Sequence, residues 1–280
     1  MPSTPAQSTN AQSFTQADID ERFAFATELV AEAGALAASY FADIDSLDVT
    51  SKGPQDVVSQ ADLNTEILIR DRLAARFPDD AFFGEETGPQ GVDGAAGIWV
   101  VDPIDGTQPF VMGLPTWCVS IAFIADSVMH IGLVFAPAAN ELFAAQRGKG
   151  ATLNGRSIAV RPADSFNDGM VGVGYSMRSD VDDLIETMTR LLKAGGMFQR
   201  NGSGALSLCY VACGRLIGYV EMHINSWDCL AALLIITEAG GEINDFMAGD
   251  ALNEGNRVVA GPPSLYSRLE ALLPAGGGQR

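Results

Sequence analysis

Residues 98–110 read Ile-Trp-Val-Val-Asp-Pro-Ile-Asp-Gly-Thr-Gln-Pro-Phe, IWVVDPIDGTQPF. Ile98, Trp99, Val100 and Val101 form a strand-like apolar run that passes straight into Asp102, Pro103, Ile104, Asp105, Gly106 and Thr107. A buried strand therefore delivers two carboxylates, three residues apart, to a turn at its own end, and acids so placed look like metal ligands. Pro103 stiffens the backbone, and Gly106 permits a conformation or a close approach that a side chain would block. A helical turn opening at Gly106 would aim its free N–H groups at the same spot and hold a phosphate beside the metal. Asp, Gly and Pro are also ordinary turn formers. The fragment alone leaves a plain Asp-rich turn open, and acids elsewhere in similar settings are what weigh against it.

The chain has 280 residues, enough for one large domain or two moderate ones, and its 47% apolar content suits a packed core. Its 35 acidic residues face 17 basic ones, a net charge of −18, which argues against binding nucleic acid or anionic membrane by charge alone. No apolar run approaches the roughly 18 to 20 residues of a membrane span, and the first residues have neither a basic start nor an apolar core. The expectation is a cytoplasmic protein with a loose tail at 1–16 and another at 275–280. Cys118, Cys209, Cys213 and Cys229 lie in apolar segments without paired metal-site spacing and read as core thiols. His130 and His223 have no Ser or Cys partner in a nucleophile motif, which weakens a Ser-His or Cys-His hydrolase.

Thr15 with Asp18 resembles a capping box, and Phe25, Leu29, Ala33, Leu36 and Tyr40 then fall at helical spacing, predicting a helix over 17–41. Lys52 follows on a Gly-Pro turn. Ser59 caps a second helix with Leu63, Ile67, Ala74 and Phe77 on one side, ending at Pro78, and Asp62 sits in its first turn. A short strand over 81–84 ends in Gly84, Glu85 and Glu86, and a Gly-rich loop separates it from the central strand. Strands over 117–125 and 128–135 form a hairpin at Asp126 and Ser127, and 141–146, 151–153 and 157–160 continue an antiparallel-leaning sheet. Beyond residue 162 the pattern alternates. Strands are expected at 170–174, 216–222 and 257–260, and helices at 179–193, 204–213, 226–239 and 263–273. This predicts an α/β protein with an α+β metal-binding half over 17–162 and an α/β substrate-binding half over 163–274.

Glu85, Asp102, Asp105 and Asp228 are strand-end or helix-start acids, with Asp62 in the framework of the first half. A set of carboxylates without His or Cys suits hard Mg²⁺ or Mn²⁺ better than zinc. Cations bridged by such acids polarise a phosphate, steady the leaving oxygen and acidify a water. Thr107, paired with Asp62, would orient and deprotonate that water. The chemistry is metal-assisted hydrolysis of a phosphomonoester by in-line attack, without a covalent enzyme intermediate.

GEE at 84–86, WVVDPIDGT at 99–107 and SWDCLAALLIITEAGG at 226–241 resemble the three signature segments of the inositol monophosphatase family, in order, and DVVSQAD at 56–62 resembles its early segment. The resemblance covers the chain from Ala17 to the terminal helix. It implies a layered αβαβα sandwich of the inositol monophosphatase and fructose-1,6-bisphosphatase type, two or three Mg²⁺ per site, lithium sensitivity and a homodimer. It also implies metal ligation by Glu85, Asp102, the Ile104 carbonyl, Asp105 and Asp228, with Thr107, Asp62 and Glu85 catalytic. Gly106 and Thr107 would give N–H groups to phosphate, with Lys52 near the family's early basic residue. Gly202, Ser203, Gly204, Glu221, Asp105 and Asp228 would contact substrate. Glu221, seven residues before Asp228, can accept two hydroxyls of a vicinal diol.

The first-choice substrate is myo-inositol 1-phosphate. GTQPF departs from the inositol pattern, FVMGLPTW after it is similar to histidinol-phosphate phosphatases, and a fructose bisphosphate or a 3'-phosphoadenosine nucleotide are further alternatives. A non-catalytic RNA- or protein-binding regulator is the competing class.

Overall fold

The computed structural model describes residues 14–44, 49–53 and 56–274. The expected tails fall outside them except at 14–16, where Thr15 is already the cap of the first helix. The capping box there is reciprocal: Thr15 N donates to Asp18 Oδ2 at 2.8 Å and Asp18 N to Thr15 Oγ1 at 3.3 Å. Helix α1 (Gln16–Ala42) buries Ile19, Ala26, Leu29, Val30, Ala33 and Ala37, so Phe25, Leu36 and Tyr40 flank the buried stripe instead of forming it.

A hairpin, β1 (Val49–Gly53) and β2 (Asp56–Ser59), leads into α2 (Gln60–Arg76). The face of α2 differs from the expected one. Ile67 is 39% exposed and Ala74 is exposed, whereas Asp62, Thr65, Glu66, Ile69 and Leu73 are buried. The helix turns a partly polar face inward where Asp62 and Glu66 find hydrogen-bond partners, the Thr65 hydroxyl having none among the described residues, and hydrophobic periodicity alone has no means of registering that.

β3 (Ala81–Gly84) and β4 (Gly88–Gln90) follow, the latter a short antiparallel partner inside the expected Gly-rich loop. Next come the central strand β5 (Gly97–Asp105), the single turn α3 (Thr107–Val111), β6 (Cys118–Ala125) and β7 (Val128–Ala136). Asp126 and Ser127 join β6 to β7 with φ of 50° and 59°, the twist a two-residue hairpin needs. β8 (Glu141–Gln146), β9 (Ala151–Leu153) and β10 (Arg156–Ser157) complete an eight-stranded sheet of order β10-β9-β8-β7-β6-β5-β3-β4. The strand expected over 157–160 stops at Ser157, since Val160 N donates to Ala239 O at 3.0 Å and not to a sheet neighbour. Only β3 and β5 run parallel in this sheet.

The rest of the chain supplies β11 (Met170–Val173), α4 (Val181–Lys193), β12 (Met197–Gln199), α5 (Gly204–Ala212) and β13 (Gly218–Ile224). It ends with α6 (Ser226–Glu238), β14 (Glu242–Ile243), α7 (Ala251–Glu254), β15 (Asn256–Gly261) and α8 (Pro263–Glu270). The strands form a second sheet of order β12-β11-β13-β15-β14. β13 starts two residues later than expected because Leu216 N closes the end of α5 on Tyr210 O at 3.1 Å. β4, β12, β14 and α7 have two to four residues each, too few to display a period.

The layers run α, β, α, β, α. Alternation along the central strands sends Trp99, Val101, Ile121 and Phe123 to the side of α1 and α2, and Val100, Ala122 and Ile124 to the side of α5 and α6. α5 and α6 lie between the sheets, so that Leu230 to Ile236 are fully buried, and α4 and α8 cover the outer face of the second sheet through Leu191, Leu265 and Leu269. An all-round apolar α6 is what a helix sandwiched between two sheets requires. None of the helices is long and apolar enough to cross a membrane among the described residues.

Candidate functional site

β5 is regular up to Asp102, which pairs with Ser120 on β6; Asp105 then pairs with Cys118, leaving one extra residue on β5 between them. A bulge of this kind bends the strand and re-aims its side chains. The Asp102 Oδ1 atom accepts from Ile104 N at 2.9 Å, which fixes the turn, and the Ile104 carbonyl lies 3.1 Å from Thr107 Oγ1, sharing with Asp62 Oδ1 the single proton of that hydroxyl. Gly106 follows with φ of 95°, and a Cβ there would lie 2.8 Å from the Thr116 carbonyl oxygen, so both conformation and space demand glycine. β3 runs beside β5 and ends one residue before Glu85, whose N–H donates to Val101 O at 3.1 Å. From across the molecule, α6 brings Asp228 in its first turn.

These three elements converge. Oxygens of Glu85, Asp102 and Asp228 all lie within 4.8 Å of one another. Burial, then the negative charges of Glu85, Asp105 and Asp228, hold the Asp102 carboxyl well above the ordinary range. Asp228 is pushed up by burial, against the bonds it receives from Asp102 and Asn225 and the Arg178 guanidinium nearby. Like charges crowded this closely call for a counter-ion or protons. Oxygen-only donors match hard divalent cations, so the residues present fit Mg²⁺ or Mn²⁺.

Asp105 is engaged differently. Its Oδ2 accepts from Ser203 Oγ at 2.5 Å and Ala205 N at 2.7 Å, and its Oδ1 from Gly204 N at 3.3 Å, tying β5 to the start of α5. Burial and Asp228 push its carboxyl up to about 7 against those bonds. Ser203 is the N-cap of α5, accepting from Leu206 N at 3.1 Å, and Gly202 has φ of 88° where a Cβ would strike Pro109.

On the other flank, Asp62 divides its oxygens. Oδ2 accepts from Ser59 N at 2.8 Å and Ser59 Oγ at 2.6 Å, a capping box, while Oδ1 accepts from Thr107 Oγ1 at 3.2 Å. Burial pushes the Asp62 carboxyl up, and the Ser59 and Thr107 bonds oppose it. The side chain of Lys52 lies outside the described residues.

A cleft of about 140 Å³ opens over Asp105 and Asp228 and is lined on its far wall by Arg200, Tyr219 and Glu221. Tyr219 O–H donates to Glu221 Oε2 at 2.6 Å, and both are buried. Burial first, then Asp228 and Asp105, push the Glu221 carboxyl up to about 8, against the Tyr219 bond and the Arg200 charge. Gly174 makes the pair possible, since a Cβ there would lie 2.2 Å from the Tyr219 hydroxyl.

The sequence reading passed over Tyr219, Arg200 and Glu66. Tyr219 was detectable as the same-face neighbour of Glu221 two residues on, and Glu66 as the residue one helical turn beyond Asp62. Arg200 carried no local signal.

Fold and site together define a five-layered α/β protein with a cluster of carboxylates that could hold a divalent cation, beside a polar cleft. The chain belongs to the inositol monophosphatase family, whose family model matches residues 18–275. It is 35% identical over 241 residues to the Nus factor SuhB of Haemophilus influenzae, covering 85% of this chain and 90% of that one. It is 35% identical over 249 residues to the inositol-1-monophosphatase of Rhizobium meliloti, covering 88% and 93%. Among solved structures, the extragenic suppressor protein suhB from Bartonella henselae superposes with a TM-score of 0.85 at 30% identity, covering 91% of this chain and 99% of that one.

Proposed function

We propose that the protein is a Mg²⁺-dependent phosphomonoesterase acting on a small polyol or sugar phosphate, with myo-inositol 1-phosphate the first candidate. The observation that carries the reading is the convergence of Glu85, Asp102 and Asp228 beside the Thr107–Asp62 hydrogen bond, at one end of a cleft whose far wall holds a buried carboxyl. Glu85, Asp102 and Asp228 would hold the cations, joined by Asp105 and the Ile104 carbonyl. Bound Mg²⁺ would supply charge neutralisation for the phosphate and a more acidic water. With its one proton turned to Asp62 Oδ1 in place of the Ile104 carbonyl, Thr107 Oγ1 would keep a lone pair to accept a proton from an attacking water while Asp62 receives the hydroxyl's own. The N–H groups of Gly106 and Thr107 precede the first helical bond of α3 and are available to a phosphate oxygen. The second Glu221 oxygen and the Tyr219 hydroxyl oxygen, whose proton is given to Glu221 Oε2, would offer acceptor atoms to substrate hydroxyls, and Ser203 with Gly202 and Gly204 would form the floor beneath them.

Arg200 on the cleft wall supports keeping substrates with a second anionic group, a fructose bisphosphate or a 3'-phosphoadenosine nucleotide, beside histidinol phosphate as alternatives. A homodimer and a cytoplasmic location belong to the same proposal, and sedimentation reads the first. The test is phosphate release with Mg²⁺ across myo-inositol 1-phosphate, histidinol phosphate, fructose 1,6-bisphosphate and 3'-phosphoadenosine 5'-phosphate, with EDTA as control. Preference for the inositol ester supports the first choice. Release from none of the four, with Mg²⁺ bound, overturns it in favour of a binding role, the reading favoured by relatives that carry the name Nus factor.

A further inference from the structure

Asp62 and Glu66 stand one helical turn apart on α2, and both are completely buried. Only the first has a part in the chemistry proposed above. Glu66 Oε2 accepts from Glu86 N at 2.8 Å and its Oε1 from Thr87 N at 2.7 Å, so each carboxylate oxygen takes one backbone N–H of the two residues that follow Glu85. The residue before Glu85 is shaped for the same contact. A Cβ on Gly84 would lie 2.4 to 2.7 Å from the carboxylate carbon and oxygens of Glu66. The N–H of Glu85 itself is bound to Val101 O, the residue preceding Asp102.

The main chain around Glu85 is therefore clamped from two directions. β5 holds it on one side, in register with Asp102, and the Glu66 carboxylate holds it on the other. A hydrogen-bonded turn could be held by water or by a neutral side chain. Here the holder is a carboxyl group with no solvent access, inserted where a glycine makes room.

We infer that Glu66 is a positioning residue for the cation site: it sets the place of Glu85 opposite Asp102 and Asp228, and through it the affinity for the divalent ion. The inference rests on the reading of Glu85 as a cation ligand. Outer partners that orient a ligand typically govern metal affinity by about 10- to 100-fold, and that is the effect expected here.

The test uses the full chain and two variants. Glu66→Gln keeps the volume but offers one N–H an amide donor in place of an oxygen. Gly84→Ala leaves the Glu66 side chain itself unchanged and displaces its carboxyl group from the opposite side. Mg²⁺ and Mn²⁺ binding is measured by calorimetry, the melting temperature in EDTA, and phosphate release as a function of Mg²⁺ concentration.

The expected result is a 10- to 100-fold weaker cation affinity in both variants, a matching rise in the Mg²⁺ needed for half-maximal rate, and a kcat at saturating Mg²⁺ within about threefold of the parent. A purely structural role would lower the melting temperature and leave the calorimetric affinity unchanged. That outcome overturns the inference, as does a lower kcat with unaltered affinity. If Glu66→Gln does not fold, Gly84→Ala decides alone on the same criterion, and loss of the fold in both assigns Glu66 to the scaffold and overturns it. Weaker cation binding in the variants, with no Mg²⁺-dependent phosphate release from the parent, retains the positioning role and removes the phosphatase reading. A parent that binds no divalent cation removes both.

Discussion

Neutralising Asp102 should make the metal-free protein more stable while removing what Mg²⁺ adds. Asp102 is 1% exposed, and carboxylate oxygens of Glu85 and Asp228 lie within 4.8 Å of it and of each other. At that distance, with an effective dielectric of about 20, each ionised pair costs about 3 kcal/mol. A proton shared between Asp102 and Asp228 relieves part of this, and the remainder expected on Asp102→Asn is about 1 to 3 kcal/mol. The substitution loses no backbone bond, because the amide oxygen still accepts from Ile104 N. For a chain of this size the gain amounts to a melting temperature roughly 2 to 6 °C higher in EDTA at about pH 8.

The sign follows from linkage. A carboxyl raised in the folded state binds protons that the unfolded chain releases, so its penalty sets in as pH rises past the ordinary carboxylate value of about 4, grows until the raised folded value is passed, and is absent only below about pH 3. With Mg²⁺ the order reverses. An ion at about one hundred times its dissociation constant stabilises the parent by about 2.7 kcal/mol, and the variant lacks the ligand that collects it. The assay is thermal unfolding of both proteins in EDTA and in Mg²⁺. A variant less stable than the parent in EDTA, or one with the same Mg²⁺ increment, would refute the electrostatic account of the cluster.

Thr107→Val removes the donor to Asp62 Oδ1 and should lower kcat by about 100-fold or more, with calorimetric Mg²⁺ affinity close to the parent's. Glu221→Gln should weaken a polyol phosphate by about tenfold more than a simple aryl phosphate, as read from the kcat/KM ratio of the two. Because burial raises Glu221 to about 8, the parent's metal-free stability should fall as pH climbs toward that value, and the Gln variant should lose that part of the slope in denaturant titrations. Gly132→Ala, whose Cβ would lie 2.3 Å from the Ala231 carbonyl oxygen where α6 crosses β7, should cost about 3 kcal/mol in urea unfolding and leave Mg²⁺ affinity untouched.

What the sequence made legible was whatever is encoded over a few neighbouring residues. The Thr15–Asp18 cap, the Asp126–Ser127 hairpin turn and the passage of β5 into Asp102 all depend on local backbone chemistry, and the structure contains each of them. The αβαβα layering was implied by the family resemblance, and the alternation of elements beyond residue 162 showed only an α/β unit. The α2 face was misread for a physical reason. Leu63, Ile67, Ala74 and Phe77 form a plausible apolar stripe, but of these only Phe77, at the C-cap, is buried, and the inward face carries Asp62, Thr65 and Glu66. Periodicity assumes that polar groups prefer water, and it fails where a partner 20 to 45 residues away satisfies them, as with Glu66 to Glu86 and Asp62 to Thr107. Part of the cleft wall was similarly hidden, since Arg200 meets Tyr219 and Glu221 of β13 only through the parallel pairing of β11 with β12 and β13.

Asp62 ties these threads together. A helix-capping role and a catalytic role look like competing explanations of one aspartate, yet the two oxygens separate them. The Ser59 N–H and hydroxyl both terminate on Oδ2, so the cap is complete without Oδ1. The cap fixes the plane of the carboxylate, and that plane aims Oδ1 at Thr107, at the mouth of the turn that carries Asp102 and Asp105. One turn further along the same helix, Glu66 fixes the strand end that carries Glu85. On the function proposed above, α2 would act as a ruler: its start would set the proton acceptor and its second turn a cation ligand, at a separation fixed by the helical repeat. Its hydrogen bonds to Glu86 and Thr87 and to Thr107 reach the segments that follow two parallel neighbours, β3 and β5, so a shift of the helix would move both halves of the site together and preserve their spacing. The polar inward face that periodicity misses is the cost of that arrangement, and it is tolerable because the Asp62 and Glu66 carboxylates on it have their hydrogen bonds satisfied.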